Sequence, residues 1–280
     1  MDKVHIEKNS VQETLIIPLY TRVQCARLYP EIYQDEESKK AMDRLDYDFT
    51  SMQNQKENFT LKFGALETAC RQYDIGMEVK AYLKEYPNAT VVNLGCGLDP
   101  MTKNLDNGTC KMVNLDYPDV IAVRNEILPV GEREKNIGTD INDTSWFDQI
   151  DASQGVIFFA CGVFYYFKQV DVQKLFCAMN DAFPRGRLVF DSAGKMALKA
   201  MIKVIVKESA GIEDVNAYFH AGNPEKDIKP WSNGFTLSKK GYMLGYHDLK
   251  VGSVSGMYRL LAHVADGIMK MDIVKIDFQS

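Results

Sequence analysis

Gly95, Gly97 and Asp116 have the residue types and the spacing needed to hold a nucleoside. Each end-point follows a short apolar run, Thr90-Val91-Val92-Asn93-Leu94 for the glycines and Lys111-Met112-Val113-Asn114-Leu115 for the acid. Glycine after a strand lets the backbone turn tightly and approach a ligand that a Cβ would hold off. A carboxylate at the end of the following strand, roughly 20 residues on, accepts the hydroxyls of a ribose. The plainer reading makes the glycines an ordinary strand-to-helix turn and Asp116 the N-cap of a helix entered at Pro118.

The nucleoside is narrowed by what is missing. A dinucleotide fingerprint, G-x-G-x-x-G, needs a third glycine for close helix–strand packing. Pro100 stands in that place, and no G-x-x-x-x-G-K-[ST] phosphate loop occurs in the chain. A glycine turn and a ribose acid without a phosphate cradle suit S-adenosylmethionine. A nicotinamide-dependent oxidoreductase remains the alternative enzyme, with Pro100 against it. A non-catalytic binding protein on the same fold is the third reading.

These residues need a sheet to carry them. The sequence predicts strands over 90–94, 111–116, 135–139, 155–160 and 187–191, with helices near 119–127 and 170–182. Such alternation specifies a parallel sheet with helices on both faces. Residues 10–60 read as helical. Leu61, Phe63, Leu66, Ala69, Ile75, Val79 and Leu83 recur at helical spacing, giving one or two helices over 60–86. Pro87 and Asn88 stop them. Beyond the fifth strand, 194–209 reads as a helix, 211–234 as irregular, 255–266 as a helix, and 242–247 and 269–278 as two more strands. Asn142-Asp143-Thr144-Ser145 caps a short turn into Trp146.

Val91-Val92-Asn93-Leu94-Gly95-Cys96-Gly97-Leu98-Asp99 resembles the first motif of the leucine carboxyl methyltransferase family, which includes relatives of polyketide O-methyltransferases. The likeness runs from Glu13-Thr14-Leu15-Ile16-Ile17-Pro18-Leu19-Tyr20 to about Asp191. Its other anchors are Asp46-Tyr47-Asp48-Phe49, Leu115-Asp116-Tyr117-Pro118-Asp119-Val120, Trp146 and Phe183-Pro184. The resemblance implies a Rossmann-like, mostly parallel seven-stranded α/β sheet closed by an antiparallel hairpin. It implies a helical lid over residues 1–60 and a methyltransferase domain over 61–280, with a cap-like insertion around 195–240.

The resemblance also implies the site. Arg71 matches the arginine that grips the cofactor carboxylate, a task suited to its planar fork; a solvated helix charge is the plainer role. Asp140 and Ile141 match the pair framing the adenine, although Asp140 also suits a turn acid. Cys96, Tyr117 and Gly162 complete the cofactor set with Gly95, Gly97 and Asp116. Many family members carry Ala-Glu-Gly where this chain has Ala160-Cys161-Gly162, so Cys161 replaces an acid that would meet the cofactor ammonium. A thiol cannot do so as an anion unless its pKa falls from about 8.5. Tyr166 matches a tyrosine beside the site. Tyr20, Arg22, Tyr165, His220 and Trp231 join it as guesses for the acceptor pocket. No strong general base stands out. That favours a carboxylate acceptor, ionised at neutral pH, over a phenol with a pKa near 10.

Composition sets the outer bounds. The chain has 280 residues, 46% of them apolar, enough for one large core. A net charge of -5 provides no basic footprint for nucleic acid. No apolar run approaches the ~18 residues of a membrane span. Met1 to Glu7 is too polar for an exported leader. Six cysteines without a C-x-x-C pair read as reduced thiols in a cytoplasmic protein, and four isolated histidines offer no metal site. The expected partner is a small-molecule methyl acceptor.

Overall fold

The structure, a computed structural model, describes residues 3–6, 11–53, 58–201 and 217–279. The N-terminal part forms β1 (Val4–His5), α1 (Val11–Leu28), α2 (Glu36–Asp43), β2 (Leu45–Asp46) and α3 (Thr50–Gln53), with β1 and β2 paired in parallel. Asp35 starts α2 by accepting the Ser38 amide at 2.9 Å. Next comes α4 (Phe59–Glu85), a single long helix capped by Asn58, whose Oδ1 accepts the Leu61 amide at 2.9 Å. The elements that follow are β3 (Thr90–Leu94), α5 (Met101–Leu105), β4 (Lys111–Asp116), α6 (Pro118–Ile127), β5 (Glu134–Gly138), β6 (Val156–Ala160), α7 (Gln169–Ala182) and β7 (Arg187–Ser192). The chain ends with α8 (Lys195–Met201), α9 (Pro224–Asp227), β8 (Phe235–Gly241), α10 (Gly256–Val264) and β9 (Asp272–Phe278).

Seven strands make one sheet in the order β5-β4-β3-β6-β7-β9-β8. β9 runs antiparallel to both β7 and β8, and every other neighbouring pair is parallel. Every residue of β3 and β6 is buried, as a sheet covered on both faces requires. Val91, Ile157 and Val189 face a core shared with Leu66, Ala69 and Val79 of α4. Val92, Phe158 and Leu188 point the other way, onto Val172, Leu175 and Phe176 of α7. A third cluster joins Ile16 and Leu19 of α1 to Leu98 and to Val123 and Ile127 of α6. The Cys25 thiol of α1 donates to the Ala65 carbonyl of α4 at 3.1 Å.

Chain order reverses between β4 and β6 across β3, so their carboxyl ends open a crevice at one edge. In β3 and its neighbours, Leu94 lies in register with Leu115 and with Ala160. The residues that follow, Gly95, Asp116 and Cys161, therefore reach the same crevice.

The expected strand at 242–247 is not one; the strand is β8, over Phe235–Gly241. Asp266 accepts the Met243 and Leu244 amides at 3.0 and 2.9 Å, and Asp74 accepts the Tyr246 amide at 3.0 Å. Those donors are no longer free for a ladder. β8 itself is a largely exposed edge strand bearing Lys239 and Lys240, so it lacks an apolar pattern. Residues 235–240 of the expected cap thus belong to the sheet, and the helix expected over 194–209 is described only to Met201. The rest of that helix, and the cap's residues 202–216, lie outside the described residues. Within the segment read as irregular, Pro224–Asp227 is a short helix and Lys229–Trp231 a 3-10 turn.

Candidate active site

The loop after β3 is shaped by glycine and held by arginines. Gly95 and Gly97 have φ of +64° and +47°, the left-handed region. A Cβ on Gly95 would lie 2.8 Å from both γ-carbons of Val163. Arg124 of α6, fully buried, donates through Nη1 to the carbonyls of Gly97 and Asp99 at 2.9 and 2.8 Å. Arg22 of α1 donates through Nη2 to the Leu98 carbonyl at 2.8 Å and through Nε to Ser38. Gln72 of α4 donates to Asp99 Oδ2 at 3.1 Å, and Asp99 Oδ1 accepts the Met101 amide. Every hydrogen bond given to these loop carbonyls and to Asp99 Oδ2 comes from another element, so the loop's shape is set before any ligand arrives.

Asp116 completes the turn from the neighbouring strand. Its Oδ2 accepts the Gly97 amide at 2.7 Å and its Oδ1 the Tyr117 amide at 2.8 Å. Burial raises its pKa above the ordinary value, while these two amides pull it back down.

A cavity of about 570 Å³ opens over this edge. Of the sequence-predicted cofactor residues, Gly95, Cys96, Gly97, Asp116, Tyr117, Ile141, Cys161 and Gly162 line it. Asp140 does not. It is exposed, and its Oδ1 accepts the Asn142 amide at 2.9 Å in a turn, leaving Thr139, Ile141 and Asn142 to form that wall. Of the acceptor-pocket guesses, Arg22 and Tyr166 line this cavity. Tyr20 is drawn instead to Phe49, stacked at 5.9 Å, and His220 lines no cavity described here. Trp231 packs on Phe176 and Phe219 under the opposite face of the sheet.

Arg71 is not among the residues lining this cavity either; it lies behind Gly162, whose Cβ would meet its terminal nitrogens at 3.5 Å. The guanidinium Nη1 pairs with Asp191 Oδ2 at 2.9 Å, and Asp191 Oδ1 accepts the Gly162 amide at 2.7 Å. The Asp191 side chain is 1% exposed. Burial pushes the Cys161 thiol up to about 12, with Arg71 acting against it, so Cys161 is a neutral thiol. Cys96 is likewise pushed up to about 12 by burial.

Sequence reasoning passed over several residues here. Asp191, next to last in β7, lies at the same edge as Asp116 at the end of β4, and the same signal, an acid at the close of an apolar run, identifies it. Asn93 lines the cavity from within β3, 2% exposed, and its side-chain nitrogen has no hydrogen-bond partner among the described residues. Leu15 and Pro18 of α1 line the cavity too, a placement that no local pattern foretells.

A second cavity of about 330 Å³ lies beyond Tyr165, walled by α4, α8, α10 and the residues leading into β9. Among the described residues no helix is long and apolar enough to cross a membrane, and no metal-binding group of side chains occurs.

Known proteins resemble this chain along most of its length. The tetracenomycin polyketide synthesis O-methyltransferase TcmP of Streptomyces glaucescens is 24% identical over 188 residues, covering 67% of both chains. The S-adenosyl-L-methionine-dependent methyltransferase dpfgK of Gibberella zeae is 25% identical over 213 residues, covering 70% of this chain and 71% of its own. A crystal structure from Thermobifida fusca, of a protein assigned to the methyltransferases, shares the fold with a TM-score of 0.57 at 17% identity, covering 93% of this chain and 94% of its own. The leucine carboxyl methyltransferase family matches residues 16–180, more than half of the chain. With that match the nicotinamide alternative falls away: the protein belongs to the leucine carboxyl methyltransferase family of S-adenosylmethionine-dependent methyltransferases.

Proposed function

We infer that the protein is an O-methyltransferase that moves a methyl group from S-adenosylmethionine to a carboxylate or hydroxyl oxygen of a small molecule. One observation carries this reading: an acid-braced glycine turn faces a cavity of about 570 Å³ at the carboxyl ends of β3, β4 and β6. That volume lies within the ordinary range for small-ligand sites. The residues fit the donor. Gly95 leaves room where a side chain would collide with Val163, and Asn93 offers a buried polar group without a partner.

In this reading Asp116 accepts the ribose hydroxyls, Tyr117 and Ile141 flank the adenine, and Gly95, Cys96 and Gly97 let the backbone approach. Arg71 grips the carboxylate of the amino-acid end. Cys161 cannot hold the ammonium as a neutral thiol, and Asp191 is already paired with Arg71, so backbone carbonyls at this edge take the ammonium instead. Residues 1–60 act as a lid, because Leu15, Pro18 and Arg22 line the cavity and Arg22 is tied to Leu98. The donor, when bound, supplies an electrophilic methyl group. The chain's own contribution is to align the acceptor and exclude water, which removes several kcal/mol from the barrier. Free cysteines, four of them buried, fit a reducing compartment and a cytoplasmic location.

Calorimetry with S-adenosylmethionine, S-adenosylhomocysteine and NAD tests the reading. Binding of the first two and not the third is expected. NAD binding, or no heat with either sulfur compound, overturns it.

A further inference from the structure

The second cavity has a chemistry of its own. Its walls are Phe59, Phe63, Leu261, Val264, Met271 and similar side chains, and Glu67 is the only charged residue among them. Glu67 sits one helical turn before Arg71 on α4, so both project from the same face. The Tyr242 hydroxyl donates to Glu67 Oε1 at 3.0 Å. No cation lines the cavity.

This cavity adjoins the one over Asp116. Tyr165 lines the apolar cavity, and Gly162, whose amide donates to Asp191, lines the other. The next residue, Tyr166, already lines the other cavity.

We propose that this second cavity is the acceptor site, that it takes a neutral aromatic hydroxyl compound, and that Glu67 is the base that removes its proton. The inference rests on the methyltransferase reading above. An ionised carboxylate entering here would face Glu67 with no cation lining the cavity, whereas a hydroxyl donates to Glu67 directly. Phe59 and Phe63 stack at 6.1 Å, and Tyr165 and Tyr242 complete an aromatic wall suited to a flat ring. A phenol needs a base and an aliphatic alcohol a far stronger one, so the acid at the end of an aromatic slot selects the phenol. In the transfer an O–CH3 bond forms as the phenol O–H bond breaks. The methyl–sulfur bond breaks with its electron pair left on sulfur, and the proton passes to the Glu67 carboxylate and then to solvent. Burial raises the Glu67 pKa, opposed by Arg71 and the Tyr242 hydrogen bond. A higher pKa makes the carboxylate a better match for a phenol proton.

The test is calorimetry on the protein loaded with S-adenosylhomocysteine, using 2-naphthol and 2-naphthoate as a pair of equal shape. Naphthol is expected to bind and naphthoate to bind at least tenfold more weakly. Glu67→Gln should narrow that gap to less than threefold while leaving affinity for S-adenosylhomocysteine unchanged. Ala197→Trp, which fills the cavity from α8, should abolish naphthol binding and spare S-adenosylhomocysteine. Naphthoate binding as well as naphthol, no heat with naphthol, an unchanged gap in Glu67→Gln, or naphthol binding that survives Ala197→Trp would each overturn the proposal. No heat with S-adenosylhomocysteine itself would overturn the methyltransferase reading, and this inference with it.

Discussion

Asp116→Asn keeps the shape of the side chain and removes half of its hydrogen-bonding capacity. A carboxylate offers about four lone-pair sites. Two are taken by the amides of Gly97 and Tyr117, at 2.7 and 2.8 Å, leaving two for the ribose hydroxyls. An asparagine has one oxygen to share among four donors, and its own amide group meets either the Gly97 or the Tyr117 N–H as donor against donor. Each charge-assisted hydrogen bond is worth roughly 1.5–3 kcal/mol. Loss of a single ribose bond therefore predicts S-adenosylhomocysteine binding weaker by about ten- to a hundredfold. A modest fall in melting temperature accompanies this, because the lost brace on the turn is only partly offset by removal of the burial cost that raises the Asp116 pKa. Calorimetry and thermal melting on wild type and variant separate the two effects. Affinity within about twofold of wild type, in a folded variant, would refute the role given to Asp116.

Gly95→Ala forces a left-handed φ on alanine, about 1–2 kcal/mol, and presses its Cβ on Val163. Adding Val163→Ala should recover part of the lost melting temperature, and no recovery would mean that Val163 is not the obstacle. Asp191→Asn leaves Arg71 uncompensated. Breaking a buried pair costs roughly 3–5 kcal/mol, and Glu67 one turn away keeps this case near the lower figure. A melting temperature about 10 °C lower is expected at roughly 2–4 °C per kcal/mol, and a fall under about 3 °C counts against the pair. Glu67→Gln should change how stability depends on pH. Because the folded-state pKa of Glu67 is raised, its stabilising contribution is fully present below the unfolded value near 4.5 and is lost as pH rises through the folded value. The melting temperature of Glu67→Gln relative to wild type should therefore climb between mildly acid and neutral pH; a flat difference would show that Glu67 is not desolvated.

Sequence by itself determined the parallel sheet, the glycine turn and the acid that closes the strand after it. These are local matters: β-branched runs of strand length, a residue type that permits positive φ, and an acid closing the next strand. The resemblance of Gly95 to Asp99 to a family motif likewise needed no coordinates, and Arg71, Cys161 and Gly162 came with it. Tertiary structure decided the rest. Asp140 is an exception, since the capture of its carboxylate is local, by the Asn142 amide two residues on. Trp231 went to the core because Phe176 and Phe219 offered apolar surface. The strand read at 242–247 moved to 235–241 because Asp74 and Asp266, distant in sequence from it or from each other, took the amides a ladder would use. Glu67 with Tyr242, and Arg71 with Asp191, are pairs whose members lie on different elements. Periodicity places each residue on a face, but which charge meets which across the core is set only when the elements pack.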